Sequence, residues 1–255
     1  MQIVNYRTRR YLERCLASLA PDLEASGLDY EINLLDNASG EPLDALASGF
    51  RSSRAFASPR NLGFGAGHNL LASKTSAPYL LILNPDVEVV TANTAKRLVE
   101  VLEAEKSTKV VGPKLVGENG LAQPYDHARL HGPRAQLALR GGHSYWRETG
   151  TAQEVAWVSG AVMLVDHSVF SQLGGFDENL FMYKEDEDLC LRIRQLGGRI
   201  VYEPSVVVRH RGSVVADRQA ALRRAATYFF DKHSLNRPVH RLLRTVHERL
   251  GYLRL

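Results

Sequence analysis

Four short polar clusters in this chain hold the residues best suited to chemistry. Three close apolar runs: Asp36-Asn37-Ala38-Ser39, the glycine-rich Asn61-Leu62-Gly63-Phe64-Gly65-Ala66-Gly67-His68-Asn69, and Asn84-Pro85-Asp86. The fourth, Glu185-Asp186-Glu187-Asp188, opens a stretch in which Leu189, Ile193 and Leu196 recur at helical spacing. His210 follows an apolar run and precedes Gly212. Acids and a neutral imidazole beside phosphate oxygens suit a divalent cation such as Mg2+ or Mn2+. A positioned carboxylate can also take the proton of an attacking hydroxyl. Each cluster has a simpler explanation when taken alone. Asp-Asn-Ala-Ser is a common turn in which the acid accepts from its own backbone. Acids at a helix start are favoured by the helix dipole, by about 0.3–1 kcal/mol each. Gly63, Gly65 and Gly67 alternate in place of GxGxxG, and no GxxxxGK[ST] occurs, which argues against dinucleotide-dependent oxidoreduction and P-loop chemistry.

The elements that must position these clusters alternate between strand and helix. Ile3 to Tyr6 predicts a short buried strand, followed by a helix capped by Thr8 with Leu12, Cys15, Leu16 and Leu19 along one face. Ile32 to Leu35 predicts a second strand, and Tyr79 to Leu83 a central parallel strand covered on both faces. A helix is expected over about residues 91–105, and further strand-like runs at Val110-Val111, Trp157 to Val165, Ile200 to Tyr202 and Val206 to Val208. Gly117 to Thr151 shows no sustained period and predicts a long loop. This alternation implies a doubly wound α/β sheet, which binds ligands beyond the carboxyl ends of its strands.

The 255 residues, 44% hydrophobic and 24% charged, suffice for one α/β domain with an appendage. We expect the domain over residues 1–215 and a basic helical tail over 216–255. The net charge of +4 is uneven: the segment from Asp217 carries +6 and leaves −2 for the rest. That balance argues against a general nucleic-acid binder and for one local basic surface. In the tail, Val239, Leu242, Leu243, Val246, Leu250 and Leu253 form a helical stripe, with Arg241, Arg244 and Arg249 at other positions. Packing on its own domain, a homodimer contact and an anionic membrane surface are all open to such a helix. Cys15 and Cys190 have no CxxC partner and read as core residues. No apolar run approaches the roughly 18 residues of a membrane span, and Met1 to Tyr6 lacks a signal-peptide core, so the expected location is cytoplasmic, with peripheral contact at the inner face of the plasma membrane if the tail binds lipid.

The order and spacing of these clusters resemble family 2 glycosyltransferases, especially the bacterial rhamnosyltransferase-like branch, whose chains commonly carry a VNY start, a DNxS turn and a NxGFxxGxN segment. Trp157-Val158-Ser159-Gly160-Ala161, Gly174-Gly175-Phe176-Asp177-Glu178 and the run from Phe181 to Arg192 match that family's acceptor-side motifs in order. The matches extend from Ile3 to Ser213. The resemblance implies a GT-A nucleotide-diphospho-sugar transferase fold, an α/β architecture with a Rossmann-like, mostly parallel sheet flanked by helices and, here, a C-terminal helical appendage. It also implies inverting transfer of rhamnose or another hexose from a UDP- or dTDP-sugar to a hydroxyl of a glycan or lipid-linked acceptor, in cell-surface polysaccharide synthesis.

By the same resemblance Asp86 binds the divalent metal (Mg2+ or Mn2+) that stabilises the leaving diphosphate, with His210 as a further ligand. Asn84 stands where many relatives have an acid and is assigned to the nucleotide or ribose. Val4, Asn5, Tyr6 and Asp36 would hold the base and ribose, with Arg60, Asn61 and Asn69 lining the same cleft and the glycines allowing close backbone approach. Asp186 is assigned as the base that takes the acceptor proton, with Glu185 as its paired acid. Lys184 stands where an aromatic residue is common. Two other classes compete: a nucleotidyltransferase, whose glycine-rich N-terminal phosphate loop is missing here, and a silent nucleotide-sugar binding protein, against which Asp86, Asp186 and His210 together argue.

Overall fold

The computed structural model describes residues 1–212 and 218–251. The boundary expected at 215/216, the last matched residue Ser213, and the stripe positions Leu253 and the Leu250 side chain lie outside the described residues. One ten-stranded sheet runs through the protein in the order β3-β2-β1-β4-β9-β6-β10-β8-β7, with β5 added on β10.

The amino-terminal half follows the expected alternation. β1 (Gln2–Asn5) leads into α1 (Arg9–Ser26), whose buried face is Leu12, Cys15, Leu16, Leu19 and Leu23 and which ends at Gly27 in the left-handed region. Thr8 stands at the N-cap, but its hydroxyl donates to Asn5 Oδ1 at 2.8 Å and makes no capping bond. β2 (Ile32–Asp36), α2 (Asp44–Ala47), β3 (Ser53–Ala57), α3 (Phe64–Ala72) and β4 (Tyr79–Leu83) complete this half. Strands β3, β2, β1 and β4 are mutually parallel, with Asn5 opposite Asp36, so both polar residues stand at the same edge. After the short β5 (Val87–Val89) comes α4 (Thr94–Ala104), starting later than expected. Its first N–H groups are capped from another helix: Thr94 and Ala95 donate to the buried Asp22 carboxylate of α1 at 2.8 and 3.2 Å.

The second half makes the sheet mixed. β6 (Thr108–Val116) is followed by the stretch for which the sequence predicts a loop, yet β7 (His127–Arg129) and α5 (Pro133–Arg140) form within it. Asp126, fully buried, anchors this stretch by accepting from Tyr202 Oη, His127 Nδ1 and Trp146 Nε1 at 2.7–2.9 Å. The apolar run ending at Val165 is two strands, β8 (Gln153–Val158) and β9 (Val162–Asp166), because Ser159-Gly160-Ala161 turns the chain between them. β9 lies antiparallel between β4 and β6, and so separates two parallel pairings. α6 (His167–Gln172) and α7 (Glu185–Gln195) follow. The two short strands expected near residues 200 and 207 are one, β10 (Arg199–His210), with an irregular register between Glu203 and Val207 around Pro204.

Two apolar cores cover the sheet, one containing Cys15 and the other Cys190, and both cysteines are buried free thiols. The chain closes with α8 (Arg218–Lys232) and α9 (Pro238–Gly251). α8 is tied to α7, where Lys232 and His233 meet Asp188 at 2.6 and 2.8 Å. α9 packs on α5.

Candidate active site

At the ends of β1 and β2 the polar side chains are engaged largely with one another. The Asp36 carboxylate accepts from the N–H groups of Ser39, Gly40 and Glu41 at 3.0–3.2 Å, the turn that an Asp in this position favours. Asn5 is fully buried and donates to Glu41 Oε2 at 2.8 Å. Asn37 accepts from the Leu62 N–H at 2.8 Å and donates to Asn61 Oδ1 at 3.0 Å, while Asn61 also accepts from the Gly63 N–H. Asn61 thus latches the glycine-rich turn to the end of β2. Tyr6 is exposed beneath the Arg7 guanidinium, which lies 5.2 Å from its ring centre, Arg60 is exposed, and Val4 is half-buried.

The glycine segment is packed closely against the rest of the protein. A Cβ at Gly63, whose φ is +85°, would collide with the Phe181 carbonyl, and one at Gly67 would lie 3.0 Å from Val4. The missing side chains let α3 seat against β1 and the 181 loop, so the close approach serves protein packing. Asn69 is likewise engaged with the protein itself. Its amide accepts from Phe176 N–H at 2.9 Å and donates to Phe176 O at 2.9 Å and Glu178 at 3.2 Å, clamping α3 to the Gly174–Glu178 turn.

Asn84, Asp86 and His210 converge although they are far apart in sequence. Pairing of β5 with the end of β10 sets His210 opposite Val87, next to Asp86. His210 Nε2 lies 3.5 Å from Asp86 Oδ1 and 3.3 Å from Asn84 Nδ2, while Asp86 Oδ2 accepts from the Gly212 N–H at 3.0 Å. The buried Gln123 fixes the imidazole. Its Nε2 donates to the His210 carbonyl at 2.7 Å, so its Oε1, 2.8 Å from Nδ1, must accept the ring proton. The Nε2 lone pair is thereby directed toward Asp86 and Asn84, the arrangement usual for a metal-ligating histidine. No group of three or more His, Cys, Asp or Glu side chains fit to hold a metal occurs among the described residues. A carboxylate and an imidazole nevertheless suit Mg2+ or Mn2+, which commonly take their remaining positions from phosphate oxygens and water.

The acidic start of α7 is built on strained backbone. Tyr183 and Lys184 have φ of +73° and +70°, an uncommon conformation for residues with side chains. Lys184 pairs with Glu187 at 2.6 Å, and its ammonium lies 5.6 Å from the centre of the Phe229 ring, so α8 brings an aromatic group to this helix start. Asp186 accepts from the Gly160 N–H at 2.9 Å through Oδ2 and from the Glu187 N–H at 2.8 Å through Oδ1. Burial, reinforced by the charge of Glu187, raises its carboxyl to about 6. Glu185 is buried, and its Oε2 has no hydrogen-bond partner. Burial first, and then the Asp186 charge, pushes its carboxyl well above the usual range.

One short turn connects these two centres. The Gly160 N–H donates to Asp186, and the carbonyl of the next residue, Ala161, accepts from the Asn84 N–H at 2.8 Å. A cavity of about 540 Å3 lies on the other side of α7, where Glu187, Leu191 and Arg194 face Trp157, Phe229 and Lys232. Sequence reasoning misses Gln123 and Asp126, because both lie in the stretch without a period. It also misses the latch role of Asn37, although the residue belongs to a recognised cluster.

A family model described as "Glycosyl transferase family 2" matches residues 2–161. The N-acetylglucosaminyl-diphospho-decaprenol L-rhamnosyltransferase of Mycobacterium tuberculosis is 31% identical over 267 aligned positions, covering 91% of this chain and 83% of its own. Rhamnosyltransferase WbbL of Escherichia coli is 46% identical over 56 residues, 22% of this chain and 21% of that protein. Among solved structures, GalNAc-T7 with UDP, GalNAc and Mn2+ superposes with a TM-score of 0.64 at 16% identity, covering 97% of this chain and 53% of that one. Mannosyltransferase PcManGT of Pyrobaculum calidifontis, with GDP-Man and Mn2+, gives 0.59 at 13% identity, covering 100% and 74%. At these identities the structural likeness speaks to the fold, which is GT-A.

Proposed function

The chain belongs to glycosyl transferase family 2, and from that premise we propose that it is an inverting, metal-dependent hexosyltransferase using a UDP- or dTDP-sugar. The carrying observation is the Gly160-Ala161 turn, which links Asp186 to the Asn84–Asp86 turn through two backbone hydrogen bonds. Rhamnose is the favoured sugar and the hydroxyl of a lipid-linked glycan the favoured acceptor, since the M. tuberculosis relative is named for both. The reaction would take place at the cytoplasmic face of the membrane, as one step of cell-surface polysaccharide synthesis.

In the proposed reaction the acceptor oxygen bonds to the anomeric carbon as the bond from that carbon to the diphosphate breaks on the opposite face. Asp86 and His210 would hold the cation. When bound, that ion offsets the negative charge gathering on the leaving diphosphate, an effect of several kcal/mol. Asn84 lies beside both ligands and can donate to a diphosphate or ribose oxygen. Asp36, Asn5 and Tyr6 edge the nucleotide side, and the Asn37–Asn61 latch keeps that edge in place. Asp186 receives the acceptor proton. Two backbone N–H groups orient its carboxylate, and a pKa near 6 makes it a stronger base than an ordinary Asp while leaving it ionised at neutral pH. Burial disfavours the charged form of the neighbouring Glu185.

A panel of nucleotide sugars scored for release of the nucleoside diphosphate tests the activity, with thermal stabilisation by dTDP or UDP plus Mn2+ as a binding readout. Pyrimidine nucleotides should stabilise the protein in a metal-dependent way, GDP less so, and Asp86→Ala should abolish the metal dependence. Equal stabilisation of parent and Asp86→Ala, or full turnover in excess EDTA, would overturn the metal assignment.

A further inference from the structure

The last helix packs with its faces arranged contrary to the usual pattern. α9 turns His240, Leu243, Arg244 and His247 toward the body, while Val239, Leu242 and Val246 stand 56%, 64% and 39% exposed. The orientation is fixed at close quarters. A Cβ at Gly141 would lie 2.9 Å from the Arg244 backbone nitrogen, so α5 ends where only glycine lets the helix approach. The Arg244 guanidinium stacks 4.1 Å from the Phe230 ring centre, the His247 ring lies 5.6 Å from that of His143, and Glu248 reaches His143 at 3.2 Å. Spaced at i, i+3 and i+7, the three outward aliphatic residues form one continuous stripe. Single exposed apolar residues are ordinary, but an ordered stripe facing away from the core needs a partner.

The charges bordering the stripe indicate its chemistry. Arg241 and Arg249 are exposed on the outward arc, Arg249 three residues after Val246 and one helical turn beyond Thr245. The one acid of α9, Glu248, is half-exposed and paired with His143. An aliphatic stripe with a mainly cationic border matches a helix lying in a lipid headgroup layer. A second copy of the chain fits less well, because a two-fold contact through this face would gather Arg241 and Arg249 of both copies around one interface. We propose that α9 lies on an anionic lipid surface, with Val239, Leu242 and Val246 at the acyl boundary and Arg241 and Arg249 among the headgroups. This surface lies outside the transferase site, and its test does not depend on turnover.

Sedimentation of the full chain with phosphatidylcholine vesicles, with and without phosphatidylglycerol, tests the proposal. Binding should require the anionic lipid and weaken at high salt. Leu242→Glu with Val246→Glu should reduce it by at least about tenfold, and Arg241→Ala with Arg249→Ala by several-fold. All four positions are exposed or flank the stripe, so melting temperatures should hold and loss of fold can be distinguished from loss of binding. Size-exclusion chromatography of the same proteins supplies the competing outcome. Failure of the folded parent to sediment with either vesicle, or a parent dimer that Leu242→Glu converts to monomer, would overturn the proposal.

Discussion

The acidic start of α7 has two sides, and the contrast between them separates structural acids from those available for chemistry. On the side facing α8, Asp188 is fully buried and meets Arg192 Nε at 2.7 Å, Lys232 at 2.6 Å and His233 at 2.8 Å. Asp177, in the preceding turn, meets Lys232 at 2.7 Å and Tyr228 Oη at 3.0 Å. Burial alone would raise both carboxyls, but the bonds from Lys232 and its neighbours outweigh it and hold both below the usual range. On the side facing the Gly160 turn, no cation among the described residues forms an ion pair with Asp186 or Glu185; the nearby Lys184 charge offsets the effect at Asp186 only in part, and burial prevails. All four acids sit within twelve residues of one another, so it is their partners, Lys232 and His233 above all, that set the difference.

The largest effect that can break this contrast is expected at Asp186. Asp186→Asn keeps the shape and removes the basicity, so transfer should fall by roughly 10²–10⁴-fold, the range supplied by general-base catalysis, while affinity for dTDP with Mn2+ is retained. Parallel turnover and binding measurements decide it. Near-parental transfer would remove the acidic helix start from the mechanism.

Asp188→Asn should act on stability instead. Removing one partner from a buried ion-pair cluster costs about 3–5 kcal/mol, with turnover per folded molecule unchanged. The pH dependences of the two variants should have opposite signs. The lowered carboxyl of Asp188 contributes stability that is present above its free value of 3.8 and lost as acid protonates it, so the deficit of Asp188→Asn shrinks on acidification. Ionising Asp186 costs folding stability between 3.8 and about 6, so Asp186→Asn should gain on the parent as pH rises through that interval. Denaturant unfolding between about pH 4 and pH 7 reads the slope at Asp186, and continuing it to about pH 2 reads the slope at Asp188.

The smallest effect sharpens the contrast within the pair. Since burial disfavours the charged form of Glu185, Glu185→Gln removes little, and transfer should stay within about threefold of the parent. A loss exceeding that of Asp186→Asn would exchange the two roles.

Much of this arrangement was legible in the sequence, and the parts that were not share a physical cause. Apolar runs ending in Asp36, Asn84 and Asp86 place the strand ends, because a strand covered on both faces leaves a strong local pattern. The meeting of Asp86 with His210 leaves no local trace; only the family resemblance suggests it. β7 and α5, of 3 and 8 residues, are too short to impose a period on the 117–151 stretch, so Gln123 behind His210 stays hidden. The packing partner of Gly63, the Phe181 carbonyl, leaves no local trace either, because it comes from a loop more than a hundred residues later. Which acids of α7 are paired likewise depends on Lys232 and His233, beyond the reach of any local pattern.

The claim that Asp186 receives the acceptor proton is tested most directly by the pH dependence of transfer at saturating donor and metal. The raised carboxyl must be ionised to act, so the rate should drop as pH falls through about 6, and Asp186→Asn should lose that limb while keeping a low residual rate. A rate that stays level from pH 5 to pH 8 in the parent, or the same limb persisting in Asp186→Asn, would contradict it.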